Sequence, residues 1–549
     1  MISQCRALFP MPSLTRVSRP WTRTAARRLS QQARPDGHDT GIRVYDPIGR
    51  AKVPLKLQHE RVAKWYSCGP TVYDSSHVGH AYTYLRTDII RRILGRVFDV
   101  DVVMVMGITD IDDKIVARAV QLGETPETLA RRYERELRED IAKLGILPPT
   151  VYTRVSEYIP SVVRFCEVLR DKGHAYVAPD GSLYFDVSQR PDYGLFRTPG
   201  MRSSIPVVEP GVKRDPRDFA LWKGSKPGEP QWTSPWGPGR PGWHIECSAM
   251  ASELLGDSVD IHTGGRDLAF PHHENEEAQS RSRHGKSRWV RHWLHMGQVM
   301  VAKGGTDAVK MSKSAGNTLP LRTVLEDHSA ETLRLLCLRS HYSADVVVGP
   351  EALHQAQVNL SMLRDFCANA GSYVRGELPA RELKEPELLE QLANLKIQLR
   401  EAMADDLDYS RATAHVLELA SRLNGRLQGP CAQTSAAGAC RGAIAAALVL
   451  VSRFFGDVGI ELATKDTFAS ASGTSIALVV DSVVAFRSAV RQHALAHKDS
   501  SRPLLEACDS LRDQLALEGV QIKDRGSQSS TWDIAPVGGN REKSQKEEQ

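Results

Sequence analysis

An α/β fold built on a parallel sheet, followed by an α-helical bundle and a small C-terminal domain, is predicted by three features of the 549-residue sequence. One is a succession of strand, helix and strand patterns between Val62 and Asp113. Another is a change to Leu/Ala/Arg helical periodicity after about residue 345. The third is size, since a chain this long exceeds one hydrophobic core and accommodates roughly three or four units of about 150 residues.

The first element is the β-prone run that opens VAKWYSCGPTVYD (62–74). It breaks at Gly69-Pro70, which places Cys68 at a strand end. From Gly79 onward Ala81, Tyr82, Leu85, Ile89, Ile90, Ile93 and Leu94 recur at helical spacing. In DVDVVMVMGITDIDD a buried-strand run, Val100 to Val105, closes on a carboxylate-rich loop. Strand, helix and strand in succession begin a parallel sheet, whose ligands lie at the strand C-terminal ends. Residues 110–172 read as mostly helical. From about 175 to 245 the texture turns to Pro, Gly and Trp with short strands such as SLYFDVS, which we assign to an insertion at about 150–242 within a sheet domain of 39–345. DSVDIHTGGRDLAFPHHENEEAQSRSRHG then returns to strand, Gly-rich turn and helix. Residues 346–478 read as the bundle, with the small-residue-rich segment 430–478 as a loose, flexible insertion. Residues 479–539 form the C-terminal region, ending in a helix-turn piece, and the polar tail 540–549 is expected to be disordered. No internal repeat is present.

Composition is that of an ordinary globular protein, 41% apolar and 25% charged. The net charge of +5 is concentrated at one end: residues 1–35 hold seven arginines, no lysine and no acid, and the remaining chain carries 64 basic against 66 acidic residues. An Arg-rich, Ser/Thr-dotted, acid-free start reads as a transit peptide over 1–38, and its modest hydroxyl content favours the mitochondrion, hence the matrix. A basic arm that touches nucleic acid is the other reading. The near-neutral body requires any nucleic-acid contact to come from a local basic face. Nine cysteines are scattered singly without C-x-x-C, which argues against a disulfide framework and for a reducing compartment. The longest uncharged apolar stretch, AIAAALVLV (443–451), is half of the roughly 18 residues needed to span a bilayer, so no membrane association is expected.

Two short motifs carry chemistry. In HVGH (77–80), His77 and His80 at a helix N-terminus can donate to phosphate oxygens, and Gly79 leaves room for a flat base on the backbone. By itself H-x-x-H is equally a pair of half-buried histidines. In KMSKS (310–314), Lys310 and Lys313 flank a small polar loop suited to clamping a polyphosphate where charge develops. By itself it is equally a solvated basic loop. The two lie about 230 residues apart in one α/β chain.

Together they resemble the ATP-handling loops of class I aminoacyl-tRNA synthetases, and the match narrows. SCGPTVYD, GITDIDDKI, RDFALWK, PGWHIECSAM, GGRDLAFPHHENEEAQS and KMSKSAGN are similar, in order, to consecutive blocks of the cysteinyl-tRNA synthetases, over about 65 to 317. The downstream helices and the SLRDQL…GVQIKD…TW region fit the same family more loosely, which implies an anticodon-binding region over 479–539, and the N-terminal arginines favour its mitochondrial form.

The resemblance implies a Rossmann-like catalytic domain and the ligation of L-cysteine to mitochondrial tRNA(Cys) through cysteinyl-adenylate. ATP with Mg²⁺ would be handled by His77, Gly79, His80, Lys310 and Lys313. It implies one zinc ion, held by Cys68, Cys247, His272 and Glu276. His272 and Glu276 are four residues apart, on one face if that stretch is helical. Two thiolates, an imidazole and a carboxylate form a mixed soft and hard set, of the kind that keeps an exchangeable position. A substrate thiol bound there as thiolate would be poorly copied by serine, and losing such a contact costs about 10⁴–10⁵ in discrimination, so no editing domain is expected. Gly69, Thr109, Trp243, His262 and Asp267 match positions around the amino acid. Lys114 matches the first lysine of the family's K-I-I-K element, whereas Ala117 stands at its second. A persulfide-forming activity with pyridoxal phosphate on Lys114, Lys310 or Lys313 is thereby weakened. A cysteine ligase acting on a small amine is the alternative acceptor reading, and the family suggests a monomer.

Overall fold

The computed structural model describes residues 37–197, 212–226, 228–302, 308–311, 316–378, 383–428, 440–462, 476–496, 502–517, 519–525 and 528–534. The expected transit peptide (but for its last two residues), the tail 540–549 and Lys313 lie outside them.

The chain opens with an antiparallel hairpin, β1 (His38–Asp46) and β2 (Ala51–Leu57). β3 (Val62–Thr71), α1 (Val78–Arg96) and β4 (Asp101–Thr109) follow, and then α2 (Asp113–Leu122), α3 (Pro126–Lys143) and β5 (Val151–Arg154). After α4 (Ile159–Asp171) an antiparallel sheet forms from β6 (Ala175–Val177), β7 (Leu183–Phe185), β8 (Phe219–Gly224) and β9 (Gly239–Pro241). α5 (Trp243–Leu255), β10 (Val259–Gly265), α6 (Glu274–His284) and β11 (Val290–Met296) return to the main sheet.

That sheet has the order β11-β10-β3-β4-β5 and is parallel throughout. β3 starts the half that grows toward β5, and β10 starts the half that grows toward β11. The crevice where the two halves diverge, at the C-terminal ends of β3 and β10, is where open α/β sheets bind ligands. β4 is buried from Met104 to Thr109, as expected for a strand covered by helices on both faces. On one face α1 buries Ala81, Tyr82, Leu85, Ile89, Ile90, Ile93 and Leu94, the set its periodicity predicts. On the other, α5 and α6 join the inserted sheet in a second core containing Phe165, Trp222, Trp289 and Trp293.

Two expectations are corrected. β5 is not part of the insertion: Val105–Ile108 pair in parallel with Val151–Arg154, so the inserted region begins after the sheet's edge strand. Within 430–478, where an insertion was expected, residues 440–457 belong to the bundle instead. Cys440 is buried, and residues 441–457 form a bundle helix whose Ala443, Ile444, Ala447, Val451, Phe454 and Phe455 face the core.

Beyond the sheet come β12 (Val299–Ala302), β13 (Ala308–Lys310), α7 (Leu321–Asp327), α8 (Ala330–Leu338) and β14 (Val346–Val348), the strands in the order β13-β12-β14. The bundle comprises α9 (Pro350–Arg375), α10 (Glu385–Ala404), α11 (Tyr409–Gln428) and α12 (Arg441–Asp457). The C-terminal part pairs α13 (Ile476–Ala496) and α14 (Arg502–Leu517), which is the expected helix, with a hairpin of β15 (Val520–Arg525) and β16 (Gln528–Ile534) that continues beyond it.

Polar pins fix α1 in place. The fully buried Arg86 guanidinium donates to the carbonyls of Gly297, Tyr342 and Ala344 at 2.9–3.3 Å and to Ser340 Oγ at 2.8 Å. Asp88 takes both Arg92, at 2.8 Å, and Arg334 of α8. The helix that begins at His77 is thereby tied to segments leading into the bundle. The seven described cysteines are buried and unbridged. Among the described residues no helix is long and apolar enough to cross a membrane.

Candidate active site

At the divergence point Cys68 and Gly69 lie near the end of β3, which does not break at Gly69-Pro70 as expected but runs on to Thr71 with a register shift after Cys68. A Cβ at residue 69 would stand 1.9 Å from the Gly107 carbonyl oxygen of β4, so only glycine allows the two strands to approach here. Cys247 reaches the same place from the second turn of α5. His272, His273 and Glu276 come from the irregular turn that enters α6. α6 is fixed by its flanking carboxylates: Glu274 accepts from the Gly194 and Phe196 amides at 2.7 and 2.9 Å, and Glu277 from the Trp289 amide at 2.9 Å. Glu276 is left facing inward.

Cys68 Sγ lies 3.8 Å from Cys247 Sγ and 3.6 Å from Glu276 Oε1. His272 Nε2 lies 3.6 Å from Cys247 Sγ and 3.1 Å from Glu276 Oε1. A tetrahedral ion with bonds of about 2.0–2.3 Å separates its donors by roughly 3.3–3.8 Å. The four side chains, each no more than 6% exposed, therefore fit a zinc ion in spacing and in donor type. The electrostatics agree. A hydrogen bond from Cys68 brings the Cys247 thiol down to about 6, while burial drives Cys68 well up. Burial opposes the charge on Glu276, yet the His262 and His272 rings hold its carboxyl at about 2.

A second grouping overlaps the first: Cys68, His262, His273 and Glu276 also bring one ligand atom each within 4.8 Å of one another. His273 Nε2 is 3.5 Å from Cys68 Sγ, and His262 Nε2 is 2.9 Å from Glu276 Oε2. His262 is completely buried and is bonded to a ligand candidate rather than lining the cavity. Two further ring pairs back the cluster, His244 Nδ1 to His272 Nδ1 at 2.9 Å and His273 Nδ1 to His295 Nε2 at 2.8 Å. Burial lowers His244, His273 and His295, the last to about 3, so these rings are neutral.

Cys68 and Gly69 open onto a cavity of about 590 Å³ that is also lined by His77, Gly79, His80, Lys114, Trp243, Asp267 and Lys310. The His77 and His80 rings stack at 3.8 Å. Lys310 Nζ is 3.1 Å from Asp267 Oδ2, which supplies the partner the sequence left undetermined. Trp243 is 39% exposed, its ring 4.4 Å from that of His272. Lys114 Nζ lies 5.7 Å over the Tyr73 ring. Thr109, like His262, is not part of the cavity wall: it is buried, 6% exposed, and its hydroxyl donates to Glu246. The sequence reading missed His244, His273, His295 and Glu246; the first, second and fourth directly adjoin predicted residues, but adjacency carries no chemistry until the backbone turns them inward.

Residues 54–358 match the family model for the catalytic domain of class I (C) tRNA synthetases. A probable mitochondrial cysteine–tRNA ligase of Xenopus tropicalis is 41% identical over 528 residues, 91% of each chain. The cytoplasmic cysteine–tRNA ligase of Dictyostelium discoideum is 36% identical over 527 residues, 91% of this chain and 78% of that one. Mycobacterium tuberculosis methionyl-tRNA synthetase in complex with methionyl-adenylate shares the fold, with a TM-score of 0.56 at 18% identity over 73% of this chain and 92% of that one. With the catalytic-domain match covering more than half of its length, and these identities extending over nine-tenths of it, the chain belongs to the cysteine–tRNA ligase family of class I tRNA synthetases.

Proposed function

We propose that the protein activates L-cysteine with ATP and transfers it to tRNA(Cys) in the mitochondrial matrix, acting as a monomer. The observation that carries this reading is that Cys68 belongs both to the four-residue cluster and to the wall of the cavity holding His77, His80 and Lys310.

The cysteine carboxylate attacks the α-phosphorus of ATP and pyrophosphate leaves, giving cysteinyl-adenylate. The terminal ribose 2′-hydroxyl of tRNA then attacks the activated carbonyl and AMP leaves. No protein nucleophile is required, because positioning and charge stabilisation suffice. His77 and His80 present ring N–H groups and Lys310 an ammonium on the phosphate side, and Lys313 has the same assignment from the sequence. Cys68, Cys247, His272 and Glu276 would hold the zinc, which when bound favours a thiolate over a hydroxyl. Trp243 flanks that end with an aromatic face. Gly69 keeps β3 and β4 close enough for both to border the amino acid.

The helical bundle and C-terminal hairpin module support a tRNA acceptor over a small amine. The Arg-rich N-terminus, together with the mitochondrial relative, supports the location. A second reading, persulfide formation with pyridoxal phosphate, is favoured by Lys114, which lines the cavity without an acidic partner among the described residues. Ala117 supplies no second amine there. Aldimine absorbance present in the wild type and absent from K114A is its test.

The main test is cysteine-dependent ATP–pyrophosphate exchange with zinc analysis. C68A is expected to lose both. Exchange by C68A at the wild-type rate would falsify the proposal.

A further inference from the structure

Glu246 precedes Cys247 on α5 and is 1% exposed. Among the described residues it forms no ion pair. Its one hydrogen bond is from the Thr109 hydroxyl, Oγ1 to Oε2, at 3.2 Å. A buried carboxyl with no cation is costly to the fold, and such groups call for an explanation outside packing. The neighbouring acids have structural partners. Asp110 accepts from the amide and hydroxyl of Ser156, and Asp113 holds Lys223 and Arg240. Glu246 differs from both in having, among the described residues, the hydroxyl of the last residue of β4 as its single hydrogen-bond partner.

That residue stands where the sheet opens. Thr109 is in register with Thr71 of β3, and its carbonyl accepts from the Val72 amide at 3.1 Å, beside the strand end that carries Cys68 and Gly69. A threonine hydroxyl has one proton and two lone pairs. Because Glu246 takes the proton, Oγ1 offers only acceptor capacity to any other group. The α-ammonium of an amino acid is its complement, a cation with three donors and no acceptor.

We propose that Glu246 is a positioning residue that locks the Thr109 hydroxyl as an acceptor for the substrate α-ammonium group. The proposal rests on the reading of Thr109 as an amino-acid contact. It assigns Glu246 a part in recognising the amino end, whereas its neighbour Cys247 serves the sulfur end. Without the carboxyl, the Thr109 hydroxyl can turn its own proton toward the incoming ammonium.

The test is a double-mutant cycle of E246M and T109V, with E246Q as the conservative variant, read by pyrophosphate exchange and zinc content. E246M should raise the KM for cysteine about 10- to 150-fold, the range for a hydrogen bond to a charged group. The KM for ATP and the zinc content should stay at wild type. E246Q, whose amide oxygen accepts the same proton, should remain within about 3-fold of wild type. T109V should raise the KM for cysteine as well, and the double variant should be no worse than T109V. Inhibition by 3-mercaptopropionate, which has the thiol and carboxylate but no ammonium, should be unchanged in E246M. An unchanged KM for cysteine in E246M, full additivity with T109V, or loss of zinc in E246M overturns the role. A normal KM in T109V overturns the reading of Thr109 and the role with it. If E246M does not fold, E246D withdraws the acceptor by one methylene and is expected to move the same KM in the same direction.

Discussion

The two ends of the cavity are built on opposite principles. At the sulfur end Cys247, His272 and Glu276 are no more than 5% exposed, and their donor atoms stand at ligand separation with no substrate present. At the phosphate end His77 and His80 are half-buried, and Lys310 is 44% exposed with its ammonium resting on Asp267. Charges removed from water during folding interact strongly and hold one geometry, whereas hydrated charges interact weakly until a ligand displaces the water. On the proposed reading, amino-acid selection falls to the rigid end, and handling of a large, highly charged nucleotide substrate falls to groups that keep their hydration until it arrives.

The contrast can be broken most sharply at the sulfur end. C247A is expected to lose zinc and to lower cysteine-dependent exchange by ~10³-fold or more, since the discriminating contact disappears. Metal analysis showing zinc retained alongside normal exchange would refute the asymmetry. K310A comes next: adenylate formation should fall by roughly 10²–10³-fold in kcat, with zinc content and the KM for cysteine unchanged. Single-turnover kinetics separate these quantities, and a cysteine KM that moved with kcat would show that the ends are coupled. G69A is a structural probe with a smaller effect. Its Cβ must push back the Gly107 carbonyl, lowering stability by about 1–3 kcal/mol, as overpacking does. Thermal unfolding measures this, and an unchanged melting point would mean that β3 and β4 are free to separate.

The smallest effect lies away from both ends, as a control. In the C-terminal module Arg487 donates to Asp524 at 2.6 and 3.0 Å and holds its carboxyl at about 2, below the ordinary 3.8. A depressed carboxyl stabilises the fold above its unfolded value and ceases to as pH falls through the folded one. This module should therefore weaken between about pH 4 and pH 2, reported by Trp532, whose indole N–H bonds Asp481 at 2.7 Å. D524N should lack that acid limb while leaving exchange activity at pH 7 intact.

Much of this architecture was legible in residue order. The apolar run that begins near Val100 read as a covered strand and became β4, although burial within the strand starts only at Met104. The helical spacing from Ala81 to Leu94 named the face that α1 buries. The β-prone run around Cys68 read as a strand and became β3, although the strand continues through Gly69-Pro70 to Thr71. What stayed hidden depends on contacts between distant segments. Val151–Arg154 is too short to announce a strand, and only pairing with β4 makes it one. The small residues after 440 suggested looseness because alanine carries little hydrophobic signal singly, yet in α12 they allow close helix packing. The site shows the same division. Cys68, Cys247, His272 and Glu276 came together only through the family resemblance, since scattered single cysteines read otherwise as buried small hydrophobes, whereas the histidines behind them, the bond from His262 to Glu276 and the pairing of Asp267 with Lys310 depend on turns and side-chain directions that no spacing rule encodes.

The separation of 208 residues between Cys68 and Glu276 also has a meaning in time. At about 5–20 residues per second, a growing chain exposes the first thiol some 10–40 s before the last carboxylate has been made. Cys247 and His272 emerge before Glu276, so the four donors are complete only once α6 has begun. On the proposed reading, the pocket that distinguishes one amino acid from another is thus a late part of the catalytic domain to be assembled, and a chain stopped short of α6 would carry the nucleotide helix without it.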